Sequence, residues 1–156
     1  MSLIAPEACP YLDRVKLDLE RFKPKAVLQT SEVIDKRPWL ASAFTALLQV
    51  QRCGRFEPGI GDFRVVDDTL NMAGRILGSI KYRQLPNPSL SALPGGGIYI
   101  TWVNGAEAVE VSVFPGEGVV VASLRDDVPI KAIELGTAEY TKINDFLRDF
   151  VVFVAS

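Results

Sequence analysis

After residue 90 the spacing of apolar side chains changes from three or four residues to two, and this change constrains the fold more than any other feature. Two segments, 98–103 and 109–114, alternate in side-chain character, and two further apolar segments, 119–124 and 130–135, have the length and composition of strands. Asn104-Gly105 separates the first two segments and is a strong signal for a two-residue hairpin turn. Connections this short exclude the crossovers that parallel strands need. The pattern predicts an antiparallel β-meander of four to five strands.

Helical spacing is confined to the two ends of the chain. Before the meander, apolar residues recur every three or four positions in three segments, at about residues 10–23, 38–54 and 66–82. After the meander, the segment 137–154 has the same spacing, and Thr137 is placed to cap its first turn. Burying one large apolar side chain contributes about 1.5–3 kcal/mol, so we expect the apolar stripe of this last helix to lie on the sheet.

The length and composition indicate one folded unit. The chain has 156 residues, of which 48% are apolar and 23% charged, and this balance is typical of a globular domain. No internal repeat, low-complexity segment or linker divides the sequence. We therefore predict a single α+β domain over residues 1–156, in which an antiparallel meander packs against helices. Its parts are a helical region at about 10–82, the β-meander at about 90–135 and a closing helix at about 137–154.

The charged residues limit the classes of function. Lysine and arginine number 17 against 19 acidic residues, which gives a formal net charge of −2. Duplex-binding domains carry an excess of basic residues, so we predict no nucleic-acid partner. The chain contains no histidine, the usual general base near neutral pH and the commonest metal ligand. We therefore predict a non-enzymatic protein with no catalytic residues, no cofactor and no metal site.

The cysteines and the apolar runs bear on location. Cys9 and Cys53 lack the spacing of metal ligands, and we favour free thiols in a reducing compartment over a single disulfide. The N-terminus does not resemble a secretory signal, and no apolar run approaches the roughly 18 residues of a membrane span. The sequence thus predicts a cytoplasmic protein with no membrane partner.

Four segments between residues 85 and 118 resemble the motifs of a protein family. They are the proline passage Leu85–Ser89, the glycine-rich segment Leu93–Trp102, the strand Val109–Val113 and the turn Phe114–Gly118. Together they are similar to an uncharacterised family of small bacterial proteins with a Trp-Asp-Gly-Tyr-like loop and an Asp-Gly-Gly-Ile-x-Leu-Glu-Trp strand motif. Two departures are that Phe56–Gly59 matches the loop only loosely and that Thr101 replaces the glutamate before the tryptophan. Members of that family are often encoded near toxin–antitoxin or mobile-element genes. The resemblance therefore implies an inhibitor or interaction role, an antitoxin-like one included, and implies no catalytic residues.

Three short motifs have both a binding and a structural interpretation. Gly95-Gly96-Gly97 offers backbone N–H groups to a phosphate, but phosphate-binding motifs are followed by a helix and this one is followed by a strand, which favours a turn. Asp126-Asp127 offers oxygen ligands to a cation, but no further oxygen ligand stands at loop spacing, which favours a solvated turn. Asp67-Asp68 is best explained by the first turn of a helix, where acids complement the helix dipole.

The sheet face that alternates with Ile98, Ile100 and Trp102 is the candidate binding surface. If the helices cover only the opposite face, a mixed aromatic and polar set is exposed and suits a protein partner. Its members are Tyr99, Thr101, Glu110 and Ser112. Trp39 joins these candidates as an interface anchor, since tryptophan is enriched at interface hot spots, although core packing also explains it. The competing interpretation is that the N-terminal helices cover this face or that it is simply solvated.

These observations support one main hypothesis and two alternatives. The main one is a protein-interaction or inhibitor-type protein that blocks or holds an unidentified partner through a preformed surface. The first alternative is a small-molecule binding module with a pocket between the sheet and the helices, lined by Trp102, Phe146 and Phe150. The second is an enzyme that uses the carboxylates Glu107, Glu110 and Glu117. A homodimer paired through the edge strands of the sheet is compatible with the main hypothesis.

Overall fold

The computed structural model describes residues 37–116 and 118–155, and within them it confirms the predicted α+β fold with an antiparallel sheet. The helix predicted at 10–23 lies outside the described residues. In chain order, the elements are α1 (Trp39–Cys53), β1 (Phe56–Glu57), β2 (Gly61–Asp62), α2 (Asp67–Ser79), β3 (Ser89–Leu93), β4 (Gly97–Asn104), β5 (Glu107–Phe114), β6 (Gly118–Arg125), β7 (Val128–Leu135), a 3₁₀ helix (Thr137–Lys142) and α3 (Ile143–Ala155).

The main sheet is a meander in which each strand pairs with its neighbour in the chain. Its order is β3-β4-β5-β6-β7, and all four pairings are antiparallel. The short strands β1 and β2 form a separate two-stranded hairpin between α1 and α2. The predicted meander of four to five strands therefore has five, with β3 as the strand that the periodicity defined least clearly.

The turn between β4 and β5 lies one residue later than the Asn104-Gly105 signal predicts. Asn104 is still part of β4 and pairs with Glu107, so the two turn residues are Gly105 and Ala106. Gly105 has a φ of 62°, a conformation that glycine adopts at little cost because it has no Cβ. Glycine at the first central position is a common arrangement in two-residue hairpins. The hairpin prediction holds, and the glycine rather than the asparagine provides the positive φ.

The core lies between the sheet and the three helices. Alternate side chains of β4, β5 and β6 face the helices, and eight apolar ones among them are at most 1% exposed: Ile98, Ile100, Trp102, Val109, Val111, Val113, Val119 and Val121. Helix α1 packs on β3, α2 on β4 and β5, and α3 on β5 and β6. The predicted core position of Trp102 is confirmed, and its ring meets that of Trp39 edge to face with centroids 6.4 Å apart. The helices and the strands therefore share one hydrophobic cluster.

Two buried polar side chains complete the backbone hydrogen bonding at the C-terminal end of α2. This helix ends at Ser79, before the predicted boundary near residue 82. Arg37 donates to the carbonyl oxygens of Gly78, at 3.0 Å, and of Ile80. Asn144, at the start of α3, donates to the carbonyl oxygen of Ser79 at 3.1 Å and accepts from the backbone N–H of residue 81 at 3.0 Å. The helix can end here because these two side chains form hydrogen bonds with backbone C=O and N–H groups that a further helical turn would otherwise pair.

The closing helix begins differently from the prediction. Thr137 does not cap an α-helix; it opens a 3₁₀ helix, and Gly136 occupies the cap position. The carboxylate of Glu139 accepts a hydrogen bond from the backbone N–H of Gly136 at 3.2 Å, so the local cap comes from a side chain three residues later. The α-helical turns start at Ile143, and Ile143, Phe146, Leu147 and Phe150 are buried as the predicted stripe requires.

Two further observations concern Cys53 and the helices. Cys53, at the C-terminal end of α1, is disulfide-bonded, which corrects the expectation of a free thiol there; Cys9, the other cysteine of the chain, lies outside the described residues. Among the helices that the structure describes, none is both long and apolar enough to cross a membrane.

Candidate functional site

The candidate surface is the face of the main sheet turned away from α1, α2 and α3, which we call the outer face. Side chains alternate across a strand, so the strand registers define its members. They are Ser89, Ser91, Leu93, Tyr99, Thr101, Val103, Ala108, Glu110, Ser112, Phe114, Val120, Ala122, Leu124, Ala132 and Glu134. Two of these residues are acidic and none is basic. Small and hydroxyl-bearing side chains dominate the middle of the face.

The structure brings the four predicted sheet residues together at the centre of the outer face. Tyr99 on β4 pairs with Ser112 on β5, and the next outward-facing pair is Thr101 with Glu110. Directly opposed residues of an antiparallel pair have Cβ atoms about 4.5–5.5 Å apart, so the four side chains form one compact group. Each of the four is half-buried. The period of two in the sequence was sufficient to predict this group because the short β4–β5 turn fixes the register.

Tyr99 and Glu110 lie diagonally across the two strands. Burial is the largest cause that raises the pKa of the Tyr99 hydroxyl above its ordinary value, and the neighbouring Glu110 carboxylate raises this pKa further. The phenol therefore stays protonated at neutral pH and is available as a donor.

Glu110 carries a negative charge that no neighbouring cation balances. Across residues 37–116 and 118–155, no lysine or arginine lies within ion-pair distance of its carboxylate. Glu110 is therefore a half-buried acid at the centre of the outer face with no cation at ion-pair distance in the described part of the chain.

Trp39 does not belong to this surface. Its side chain is 1% exposed, and the indole Nε1 donates a hydrogen bond to the carbonyl oxygen of Tyr82 at 2.9 Å. It packs against Trp102 on the helix-covered side of the sheet. The proposed role of Trp39 as an exposed anchor is therefore wrong, and the core interpretation is correct, because the first turn of α1 points this ring inward.

The carboxylates suggested for acid–base chemistry do not converge. Glu107 and Glu110 are three residues apart on β5, so they project from opposite faces of the sheet. Glu107 faces the helices and is paired with Arg125, whose Nε lies 2.7 Å from the Glu107 carboxylate. Glu117 lies outside the described residues. Within the part of the chain that the structure describes, no group of acids or cysteines is arranged to hold a metal ion.

The other short motifs have the structural roles that the sequence favours. Gly95 and Gly96 form the turn between β3 and β4 with φ of 90° and 97°. Asp126 and Asp127 connect β6 to β7 with φ of 52° and 64°, a conformation that aspartate tolerates better than most residues. Asp67-Asp68 opens α2, as expected from the helix dipole.

The pocket suggested between the sheet and the helices exists in a different form. A cleft of about 250 Å³ lies where α3 crosses β5, β6 and β7, and Phe146 and Phe150 line it as predicted. Trp102 does not line it, because its ring is fully buried under the helices. Ile130 and Lys131 of β7 line the cleft instead. Lys131 follows the period of two with Ile133 and Leu135, whereas Ile130 reaches the cleft through an irregularity in β7 that the period does not predict.

Comparisons with protein-family models, with curated proteins and with solved structures found no match. The resemblance to the uncharacterised bacterial family therefore stays a prediction.

Proposed function

We propose that the protein is a non-enzymatic interaction module that binds a partner protein through the outer face of its sheet. The observation that carries the proposal is Glu110, a half-buried acid diagonal to Tyr99 on the neighbouring strand, with no cation at ion-pair distance among the described residues. The partner would place a lysine or arginine over Glu110. Aromatic residues such as Tyr99 are enriched at interface centres, where the surrounding contacts exclude water from a charged pair.

The mode of action that follows is steric. The outer face is built on paired strands, so little ordering is needed when a partner docks, and preorganised surfaces bind with less entropic cost. A rigid face of this kind blocks or holds whatever surface it covers, which is the action of an inhibitor or an antitoxin-like protein. The proposal includes the cytoplasmic location predicted from the sequence.

A second copy of this chain, paired through the edge of the sheet, is the alternative partner, and the structure supports it less well. β7 is the edge strand nearest α3 and has eight residues, but Pro129 cannot donate to a further strand, and the strand is irregular opposite Ser123 and Leu124. Lys131 adds a charge at the same edge. Proline, bulges and lysine are the devices that protect natural edges from pairing. These features favour a different protein as the partner over a second copy joined at β7.

The test is a comparison of charge variants in capture experiments. Immobilised wild-type protein and Glu110→Lys are incubated with lysate of cells that encode the chain, and retained proteins are quantified by mass spectrometry at low and physiological salt. We expect at least one protein to be retained by the wild type and weakened about thirtyfold or more by Glu110→Lys. That magnitude corresponds to disrupting a charge pair that is removed from water. Glu110→Gln, which keeps the shape, should weaken retention less than Glu110→Lys.

Asp145→Lys is the matched control, because it makes the same charge change at a residue of α3 whose side chain is 62% exposed and far from the outer face. It should retain the partner as the wild type does. Equal loss in Glu110→Lys and Asp145→Lys would mean that the overall charge, rather than this surface, governs binding. Retention that is unchanged by Glu110→Lys, or no protein retained at all, would contradict the proposal.

A further inference from the structure

An irregularity in the last strand pair directs Ile130 to the same side of the sheet as its neighbour Lys131. Ser123 of β6 pairs with Lys131, whereas Leu124 pairs with Pro129, so Ile130 is an extra residue in β7. This is the geometry of a β-bulge, in which two residues of one strand oppose a single residue of the other. Both Ile130 and Lys131 consequently line the cleft beside α3. Bulges are common where a strand must re-aim a side chain next to a binding site.

The cleft is lined by five apolar and five polar or charged residues, and its apolar part is partly exposed. Val109, Phe146 and Phe150 line it from β5 and α3, and each is almost fully buried. Ile130 lies at its mouth with 59% of its surface exposed. A β-branched side chain left this accessible beside buried aromatic rings is apolar surface that a ligand tail can cover.

The charges around the cleft leave one cation without a carboxylate partner. Two acids also line the cleft: Glu107 is paired with the Arg125 guanidinium at 2.7 Å, and Asp149, whose side chain is 80% exposed, lies 3.9 Å from Arg148. The ammonium group of Lys131 lies 4.7 Å from the centroid of the Phe146 ring. Within the described residues, no carboxylate approaches Lys131 to ion-pair distance. Lys131 thus holds a positive charge directly over the aromatic wall of the cleft.

We propose that this cleft binds a small carboxylate with a short apolar tail. The tail lies against Ile130, Phe146 and Phe150, and the carboxylate accepts hydrogen bonds from the Lys131 ammonium group. The cleft volume of about 250 Å³ is slightly below the roughly 300–1,000 Å³ of sites for drug-sized ligands, which fits a ligand of fragment size. The site lies on the helix side of the sheet and is therefore independent of the interaction proposed for the outer face.

The experiment is a titration of isotope-labelled protein followed by amide resonances, with hexanoate as the probe. We expect saturable shifts centred on Ile130, Lys131 and Phe150. Acetate lacks the tail and hexanol lacks the charge. The affinity of each for the protein should therefore be at least about tenfold lower than that of hexanoate. Lys131→Gln should weaken hexanoate binding about tenfold, because the charge-assisted hydrogen bond is lost, whereas Lys131→Arg should stay within about threefold of the wild type.

Lys142→Gln is the control, because it removes a lysine from the 3₁₀ helix that is already paired with Glu139 and does not line the cleft. It should leave hexanoate affinity unchanged. Three results would overturn the proposal: hexylamine binding as well as hexanoate, equal losses in Lys131→Gln and Lys142→Gln, or no shift at the three cleft residues at saturating probe. Because the resonances also report whether each variant is folded, a loss of binding is distinguished from a loss of structure.

Discussion

Trp39→Ala is expected to lower the free energy of unfolding by about 3–5 kcal/mol, the largest single effect that we predict for a side chain of the core. The Trp39 ring is 1% exposed and packs edge to face on Trp102, so its removal leaves a large cavity between α1 and the sheet. It also removes the donor that satisfies the carbonyl oxygen of Tyr82. Denaturant unfolding followed by circular dichroism measures the change.

Two further variants separate the contributions at this position. Trp39→Phe keeps most of the apolar volume and loses the indole donor, so its cost should lie well below that of Trp39→Ala. Phe56→Ala removes an aromatic ring that is 58% exposed and should change the unfolding free energy by about 0.5 kcal/mol or less. A loss below about 1 kcal/mol for Trp39→Ala would show that the ring is not in the core, and Trp39 would return as a surface candidate.

Arg37→Met is expected to destabilise the protein by about 2–4 kcal/mol although methionine fills much of the same space. The Arg37 guanidinium lies at the C-terminal end of α2 and donates to the carbonyl oxygens of Gly78 and Ile80. Removing the donor leaves two acceptors in a region that excludes water, at roughly 1–3 kcal/mol for each unsatisfied group. It also removes a cation from the negative end of a helix dipole. Thermal and denaturant unfolding both report the loss.

Arg148→Met is the matched control for this substitution. The Arg148 side chain is 62% exposed, and its closest acidic partners are 3.9 Å away, so the change should be close to neutral. A second comparison is Arg37→Lys, which retains the charge but cannot reach two carbonyl oxygens in the same way; it should fall between the wild type and methionine. If Arg37→Met and Arg148→Met have the same stability, the account of how α2 ends is wrong.

The sheet could be predicted from the sequence because the patterns that define it lie within short, neighbouring segments of the chain. A period of two, interrupted by short turn sequences, leaves few alternatives to a meander, and each short turn fixes the register of the pair that it joins. The group formed by Tyr99, Thr101, Glu110 and Ser112 follows from the same local facts. The one-residue error at Asn104 changed the identity of the turn residues but not the register.

The errors concern interactions between residues far apart in the sequence. Nothing near Trp39 shows that its ring will meet Trp102, and nothing near residue 79 shows that Arg37 and Asn144 will end α2. The bulge at Ile130 depends on how β7 fits against β6 and α3, so a strand pattern alone did not predict the cleft. The disulfide at Cys53 is a similar case, because two cysteines of unknown separation in space do not indicate their own pairing.

The most direct test of the central claim, that the outer face of the sheet is the binding surface, is site-specific photo-crosslinking. A photoreactive amino acid replaces Val103, which lies on the outer face and is 54% exposed, or Thr141, which is exposed on the 3₁₀ helix. The account predicts a crosslinked partner at position 103, none at position 141, and loss of the adduct at 103 when Glu110→Lys is added. Equal crosslinking at both positions, or an adduct at 103 that survives Glu110→Lys, would contradict it.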